Sequence, residues 1–208
     1  MSYIVGFFAA DGWLTLNKRG ANFWCIQITD KKLLEGIKKT IKAEHKIGNR
    51  KRRENEKIIY RLQIGSKEMC DDLRKIGFTD NKTKNLVVPN IPKKYISDFT
   101  RGYFDGDGNV WIGYVHKKSK NPNLTIRTMF TSCSLNFLER LHKKLQISGI
   151  KGGYIYTSKD NYSRLQFSVT DSLKLYDFMY NGQNTSTLFL KRKKDVFEKY
   201  KNAAVAQR

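Results

Sequence analysis

Two aspartates, each directly followed by a glycine, stand in two similar segments of the chain. Residues 4–13 read IVGFFAADGW and contain Asp11, and residues 100–109 read TRGYFDGDGN and contain Asp107. Two neighbouring carboxylates repel each other, and a carboxylate at the C-terminus of a helix opposes the helix dipole at a cost of about 0.3–1 kcal/mol. A divalent cation would offset both effects. Mg²⁺ takes a few carboxylate oxygens, keeps water ligands and binds phosphates, so the pair indicates metal-dependent phosphodiester hydrolysis.

Small residues in both segments predict how the aspartates are positioned. If each segment is a helix that ends at its aspartate, Gly6 and Ala10 share one face of the first helix. Gly102 and Gly106 share the corresponding face of the second. Small residues at this spacing let two helix backbones approach closely. We therefore expect the helices to pack through these four residues, with both aspartates at the same end. The glycine after each aspartate stands where a left-handed residue is favoured.

A second pair of matching segments follows the first pair in the same order, YRLQI at 60–64 and SRLQF at 163–167. Two matched pairs indicate a duplicated unit. Hydrophobic periodicity predicts helix, two strands, helix, two strands and helix in each half. The predicted fold class is α+β, with two pseudo-symmetric αββαββα halves. Each half is an antiparallel four-stranded sheet with helices on one face, and the motif helices pack at the interface. The predicted boundaries are a first half at 1–78, a linker at 79–96, a second half at 97–182 and a basic C-terminal helix or tail at 183–208.

Polar residues that precede apolar helical runs predict where the other helices begin. Asp30, Ser66 and Ser134 each stand directly before such a run and are expected to cap its first turn. For the helix near residues 173–180, the cap is predicted at Thr170 or Asp171.

The charge balance indicates a polyanionic partner. The chain has 40 Lys and Arg residues against 19 Asp and Glu, a net charge of +21. Such an excess favours nucleic acid, because lysine and arginine release counterions from phosphates. No apolar run approaches the roughly 20 residues that a membrane-spanning helix needs. The N-terminal apolar stretch is too short for a secretory signal, and the three cysteines show no C-x-x-C spacing, so we expect an intracellular protein, cytoplasmic or organellar.

Alternation along the strands predicts which side chains would read DNA. In each half, one sheet face would pack under helices and the other would lie in the major groove, which admits β-ribbons. Leu62 and Leu165 are expected to point to the core, so their neighbours point outward. The predicted DNA-reading residues are Gln27, Arg61, Gln63, Thr125, Arg127, Arg164 and Gln166. Arginine suits guanine and glutamine suits adenine.

Two basic segments fall in predicted hairpin tips, residues 50–53 in the first half and 117–120 in the second. Arg52 in the first segment and Lys118 in the second are expected to contact DNA. Such tips would mainly grip phosphates, which fixes the position of the protein without reading the base sequence.

The two motifs resemble the signature of the LAGLIDADG homing endonucleases. The second, RGYFDGDG, is close to it, whereas the first, VGFFAADG, departs at Ala9, where the signature has its first acidic residue. The resemblance covers nearly the whole chain, since the order of helices and strands in both halves also matches. It implies a monomer with pseudo-twofold symmetry that cuts both strands of a long, specific DNA site across the minor groove and leaves short 3′ overhangs.

The resemblance also implies roles for single residues. Asp11 and Asp107 would be metal ligands, together with the backbone carbonyls of Ala10 and Gly106. Mg²⁺ is the expected cofactor and Mn²⁺ the alternative. Family members also place a basic residue near the scissile phosphates after the last helix of a half. Lys193 is the first candidate for this role, Lys191 the second, and Lys84 a weaker one in the first half.

Two other functions are compatible with these patterns. The same fold without cleavage would act as an intron maturase or as a sequence-specific DNA- or RNA-binding protein, although both aspartates are retained. A basic scaffold on RNA would not need two acidic helix ends, so a metal requirement for activity separates it from a nuclease. The three histidines lie in no H-N-H or zinc-ligand spacing, which disfavours other nuclease chemistries.

Overall fold

Two copies of one helix and strand arrangement follow each other along the chain. The computed structural model describes residues 1–51, 53–79, 85–116, 118, 122–181 and 188–206. The first copy consists of α1 (Ser2–Asp11), β1 (Gly12–Leu16), β2 (Asn22–Ile28), α2 (Lys31–Thr40), β3 (Gly48–Arg50), β4 (Ile59–Gly65) and α3 (Lys67–Lys75). The second copy, preceded by a 3₁₀ turn at Lys93–Tyr95, consists of α4 (Ile96–Asp107), β5 (Gly108–Val115), β6 (Asn123–Ser132), α5 (Leu135–Ile147), β7 (Tyr154–Thr157), β8 (Ser163–Phe167) and α6 (Val169–Tyr180). The helix α7 (Lys191–Ala206) comes last.

Both halves contain the predicted antiparallel four-stranded sheet. The strand order is β1-β2-β4-β3 in the first and β5-β6-β8-β7 in the second. In the first sheet Ile26 pairs with Leu62, and in the second Phe130 pairs with Leu165 at the equivalent place. All four of these side chains are fully buried. The equal strand order and the matching register confirm the duplicated unit and the α+β class.

Three of the four predicted helix caps are present. Asp30 accepts a hydrogen bond from the Leu33 N–H at 3.0 Å. Ser66 and Ser134 cap α3 and α5 in the same way. The prediction for the fourth helix was wrong, because α6 begins at Val169 with Ser168 as its N-cap, so Thr170 and Asp171 lie inside its first turn. Capping residues act locally, which is why the sequence identifies them well.

The segments that follow α3 and α6 each pack against the opposite half. Leu86 is buried, and its carbonyl accepts a hydrogen bond from the Ser134 hydroxyl at 2.7 Å. Leu188 is buried as well, and its terminal methyl lies 2.7 Å from the place where a side chain would begin at Gly36 of α2. The two halves are therefore held together by these two segments, each of which packs against the other half, as well as by the contact of α1 with α4. None of the helices in the described ranges is long and apolar enough to cross a membrane.

Candidate active site

The backbones of α1 and α4 are in direct contact at two glycines. A Cβ added at Gly6 would overlap the carbonyl oxygen of Phe99. A Cβ added at Gly102 would overlap the carbonyl oxygen of Tyr3 and lie 2.8 Å from the backbone nitrogen of Phe7. Any larger residue at either position would push the helices apart. The glycines therefore set how close the two motif helices come.

A third close approach lies at the C-terminal ends of the same helices. A Cβ added at Gly106 would overlap the Ala10 side chain and lie 3.1 Å from the carboxylate oxygen Oδ2 of Asp11. The structure thus places all four predicted small residues at the helix contact, and it brings the first aspartate against the end of the opposite helix. Asp107 is the last residue of α4, as Asp11 is of α1.

The glycine that follows each aspartate is not left-handed. Gly12 has φ −90° and ψ 161°, and Gly108 has φ −88° and ψ 159°, both extended conformations. The strands β1 and β5 begin at these glycines without any intervening turn. A Cβ at Gly12 would overlap the ring of Phe8, and one at Gly108 would overlap the ring of Phe104. Glycine is therefore required by the tight helix-to-strand transition and not by a positive φ.

Both aspartates act electrostatically on the same two buried groups. Burial first, and then Asp107 and Asp11, raises the pKa of Tyr103 well above its ordinary value. The Tyr103 hydroxyl donates a hydrogen bond to the Thr131 carbonyl at 2.7 Å. The second group is Lys193, whose charged form both aspartates favour. The two carboxylates therefore share one electrostatic environment.

Lys193 closes the C-terminal end of α4. Its side chain is buried, and its ammonium lies within hydrogen-bond distance of four backbone carbonyls: Phe104 at 2.6 Å, Asp105 at 2.8 Å, Gly106 at 3.2 Å and Gly108 at 2.6 Å. The three N–H donors of the ammonium are shared among these four oxygens. Carbonyls at a helix C-terminus lack intrahelical donors and carry partial negative charge, so a cation is stabilised there. Burial lowers the pKa of Lys193 to about 8, although nearby Asp105 opposes the shift.

Lys191, the second candidate, lies elsewhere. Its side chain is 81% exposed, and its ammonium forms an ion pair with Asp195 at 2.8 Å. The two lysines are two positions apart on α7 and so point in different directions from the helix axis. Only Lys193 among them touches the end of a motif helix.

A cavity of about 320 Å³ opens beside the end of α4. Arg192 and Lys193 line one side, and Gly106, Gly108 and Asn109 line another. Arg192 is exposed and was not singled out by the sequence patterns, because its neighbours in a basic run look alike before their orientation on α7 is known.

Asp105 is a further buried group at this end of the helix. The residue is 1% exposed, and its Oδ2 accepts hydrogen bonds from the Tyr3 hydroxyl at 2.7 Å and the Leu190 N–H at 2.8 Å. Burial raises the pKa of Asp105 to about 6, and these two hydrogen bonds oppose the rise. Comparison of the two motifs could have drawn attention to this residue, since Ala9 stands at the matching position.

Alternation places the predicted DNA-reading residues of the first half on the face opposite the core. Arg61 and Gln63 flank the buried Leu62 on β4, and Gln27 pairs directly with Arg61 on β2. The Arg61 guanidinium lies over the ring of Trp13, 5.5 Å from its centroid. These residues therefore share one surface. Trp13 also belongs to this surface and was not among the predicted residues.

The second half has an equivalent outward face. Its predicted members are Thr125, Arg127, Arg164 and Gln166, none of them buried. Arg127 pairs across the ladder with Trp111, which is 43% exposed. The Gln166 side-chain amide donates to the Tyr154 hydroxyl at 2.7 Å. Exposed aromatic rings thus accompany the arginine and glutamine side chains on this face.

The hairpin-tip residues are only partly covered. Lys118 is exposed between β5 and β6. Arg52 and Lys84 lie outside the described residues.

Comparison with known proteins identifies similar sequences. Residues 1–77 match the family model described as a LAGLIDADG-like domain. A probable translation initiation factor of Thermococcus kodakarensis is 37% identical over 99 residues, which cover 46% of this chain and only 7% of that protein. An uncharacterized protein of Methanocaldococcus jannaschii is 25% identical over 214 residues, which cover 96% of this chain and 70% of that protein.

Several solved structures are similar over almost the whole chain. The LAGLIDADG meganuclease I-AabMI, bound to uncleaved DNA, has a TM-score of 0.64 and 14% identity, covering 99% of this chain and 90% of its own. The LAGLIDADG homing endonuclease I-LtrWI, bound to target DNA, has a TM-score of 0.64 and 14% identity, with 97% and 88% covered. The enzyme I-SmaMI, bound to an uncleaved DNA target with calcium ions present, has a TM-score of 0.65 and 13% identity, with 99% and 90% covered. At these identities the likeness concerns the fold, and it extends over both halves.

Proposed function

We propose that this chain, which carries a LAGLIDADG-like domain in its first half and the LAGLIDADG fold throughout, is a site-specific endonuclease that hydrolyses double-stranded DNA with divalent metal ions. The family match, which covers residues 1–77 and so includes the first motif, and the shared fold of both halves support this proposal. The observation that carries the proposal is the contact of α1 and α4, which brings two aspartates to one end of the helix pair beside a buried lysine. One chain supplies both halves, so a monomer is expected to be active.

The donor groups at this end fit a hard divalent cation. The proposed ligands are the carboxylates of Asp11 and Asp107 and the carbonyls of Ala10 and Gly106, all of them oxygen donors as Mg²⁺ or Mn²⁺ prefers. The absence of a side chain at Gly106 lets the end of α4 lie close against Ala10 and Oδ2 of Asp11. Within the described ranges, no group of three or more His, Cys, Asp or Glu side chains could hold a metal. Water and a substrate phosphate would therefore complete the coordination.

A bound ion would activate water for attack on phosphorus and stabilise the departing 3′ oxygen. The protein's own contribution is charge and position. Lys193 holds a buried positive charge against Gly106, and Arg192 adds a second at the mouth of the same cavity. Both would attract the scissile phosphate. The Gly106 carbonyl has two lone pairs, so it can accept from Lys193 and still face a metal ion.

The pseudo-twofold arrangement suits a duplex target. The two strands of DNA run antiparallel and are related by twofold axes, so each helix end would act on one strand. The outward sheet faces would provide the sequence reading through Arg61 and Gln63 in one half and Arg164 and Gln166 in the other. Arginine and glutamine make bidentate contacts with guanine and adenine in the major groove. The net charge of +21 would hold the phosphate backbone in place.

The experiment that tests this proposal is cleavage of a randomised duplex library, followed by sequencing of the ends, in Mg²⁺, in Ca²⁺ and in EDTA. We expect discrete ends at one long site in Mg²⁺ only, and none with a variant that combines Asp11→Asn and Asp107→Asn. Selection of one site without any cut, in all three conditions, would favour the binding function of an intron maturase or regulator. Equal recovery of all sequences would contradict site specificity.

A further inference from the structure

A buried acidic group that the proposed chemistry does not use connects the two halves to the active-site lysine. Asp105 lies two residues before the proposed metal ligand of α4 and is 1% exposed. One of its oxygens, Oδ2, accepts from two donors on different parts of the chain, the Tyr3 hydroxyl on α1 and the backbone N–H of Leu190. A carboxylate that accepts two hydrogen bonds in a buried setting holds both donors firmly, because neither can find water instead.

Leu190 is the residue from which α7 starts. Its carbonyl accepts hydrogen bonds from the N–H groups of Lys193 at 3.0 Å and Lys194 at 3.2 Å, the first bonds of the helix. Fixing the Leu190 N–H therefore fixes where the first turn of α7 begins. Lys193 lies in that turn, and its ammonium returns to the end of α4, including the carbonyl of Asp105 itself at 2.8 Å. Asp105 is thus linked to Lys193 in two ways, through its carboxylate by way of Leu190 and directly through its own backbone carbonyl.

Arg101 strengthens the same segment from the other side. It is 1% exposed, and its guanidinium donates to the Leu188 carbonyl at 3.2 Å while pairing with Asp98. It also lies over the Tyr3 ring, 5.4 Å from the centroid. The segment that leads into α7 is thus held at Leu188 by a backbone carbonyl and at Leu190 by a backbone N–H.

The first half lacks the same pair of side chains. Alignment of the motifs sets Ala9 against Asp105 and Phe99 against Tyr3. Alanine has no carboxylate and phenylalanine no hydroxyl, so among the residues that the structure describes these contacts occur at the end of α4 alone. This difference between the ends of α1 and α4 can be tested by following the two DNA strands separately.

We propose that Asp105 is a positioning residue, which holds Leu190 and thereby keeps the Lys193 ammonium at the end of α4, so that cutting of one DNA strand depends on Asp105 and cutting of the other does not. This inference rests on the proposed endonuclease function and on the assignment of one helix end to each strand. A residue that only stabilised the helix interface would affect both strands alike.

The first test follows each strand separately. Asp105→Ala gives the second motif the residue that the first motif has, and Tyr3→Phe removes only the other hydrogen bond to Asp105. With end-labelled target in Mg²⁺ under single-turnover conditions, we expect Asp105→Ala to slow one strand by at least about tenfold and the other by less than about twofold. Nicked plasmid should then accumulate. Tyr3→Phe, which leaves Leu190 bound, should not separate the strands. Equal slowing of both strands by Asp105→Ala would overturn the proposal.

A second test needs no cleavage and so separates this inference from the proposed function. Reductive methylation followed by peptide mass spectrometry measures how accessible each lysine amine is. We expect Lys193 to be protected in the wild-type protein and in Tyr3→Phe, and to be labelled nearly as fast as the exposed Lys191 in Asp105→Ala. Melting curves establish that each variant is folded. Continued protection of Lys193 in folded Asp105→Ala would refute the positioning role, whether or not the wild-type protein cuts DNA.

Discussion

The substitution Gly102→Ala should separate the two motif helices. The added Cβ would overlap the Tyr3 carbonyl oxygen and lie 2.8 Å from the Phe7 nitrogen, whereas ordinary contact begins at 3.4 Å. The obstacle is backbone, so no rotation of a side chain relieves it. Overpacking of this kind lowers the free energy of unfolding by up to about 3 kcal/mol, and the better helix propensity of alanine raises it by about 1 kcal/mol. We expect a net loss of about 2 kcal/mol in the free energy of unfolding.

Two other glycines provide matched controls for the same chemical change. At Gly36 the added Cβ would meet only the terminal methyl of Leu188, at 2.7 Å, which can rotate away. At Gly48 the nearest atom is the Arg61 carbonyl oxygen, at 3.9 Å. Both variants should be as stable as the wild type to within about 1 kcal/mol, because alanine also lowers the entropy of the unfolded chain.

The assay is urea unfolding followed by circular dichroism, with strand cleavage measured well below the melting temperature. For a chain of this size, a loss of about 2 kcal/mol lowers the Tm by roughly 4–8 °C. Cleavage by Gly102→Ala should fall further than its stability requires, because the aspartates at the helix ends move apart with the helices. A Gly102→Ala protein as stable as Gly48→Ala, with normal cleavage, would refute the close-contact reasoning.

Three further outcomes are expected from single substitutions. Asp107→Asn should abolish cleavage while DNA binding in Ca²⁺, measured by mobility shift, changes little; an equal loss of binding would exclude a purely metal-binding role. Arg164→Ala should relax base preference at one or two positions by about 1–3 kcal/mol in a selection from a randomised half-site, whereas a uniform loss would indicate a phosphate contact. Lys193→Met should slow cleavage by at least about 100-fold and Lys191→Met should not, as measured by single-turnover rates, and equal effects would contradict their different placement.

The strand faces were predictable because their pattern is local. Side chains alternate along a strand, so one buried leucine assigns its neighbours to the opposite face. The structure has Leu62 buried with Arg61 and Gln63 facing away from it, as predicted. The partners on the adjacent strand depend on register, and Trp13 and Trp111 joined these faces only through the observed pairing. Base contacts and the domain boundaries inferred from the sequence stay predictions.

The sequence alone determined the duplication, the order of helices and strands, three helix caps and the two aspartates at matching helix ends. These features depend on residue types at short spacings, and a periodic pattern records them directly. The sequence also indicated that glycine is needed at positions 12 and 108, but it did not show the reason. Each strand starts directly after its helix without a turn, and this leaves both glycines extended.

The tertiary structure decided which basic residue reaches the site and what holds it there. The sequence named both Lys193 and Lys191 as candidates. The folded chain leaves the Lys191 ammonium in solvent and places the Lys193 ammonium against backbone carbonyls at the end of α4. The contacts of Asp105 with Tyr3 and Leu190 join residues 102 and 85 positions apart. Short spacings in the sequence cannot predict such contacts, because the contacts form only when the two halves of the chain have folded and packed together.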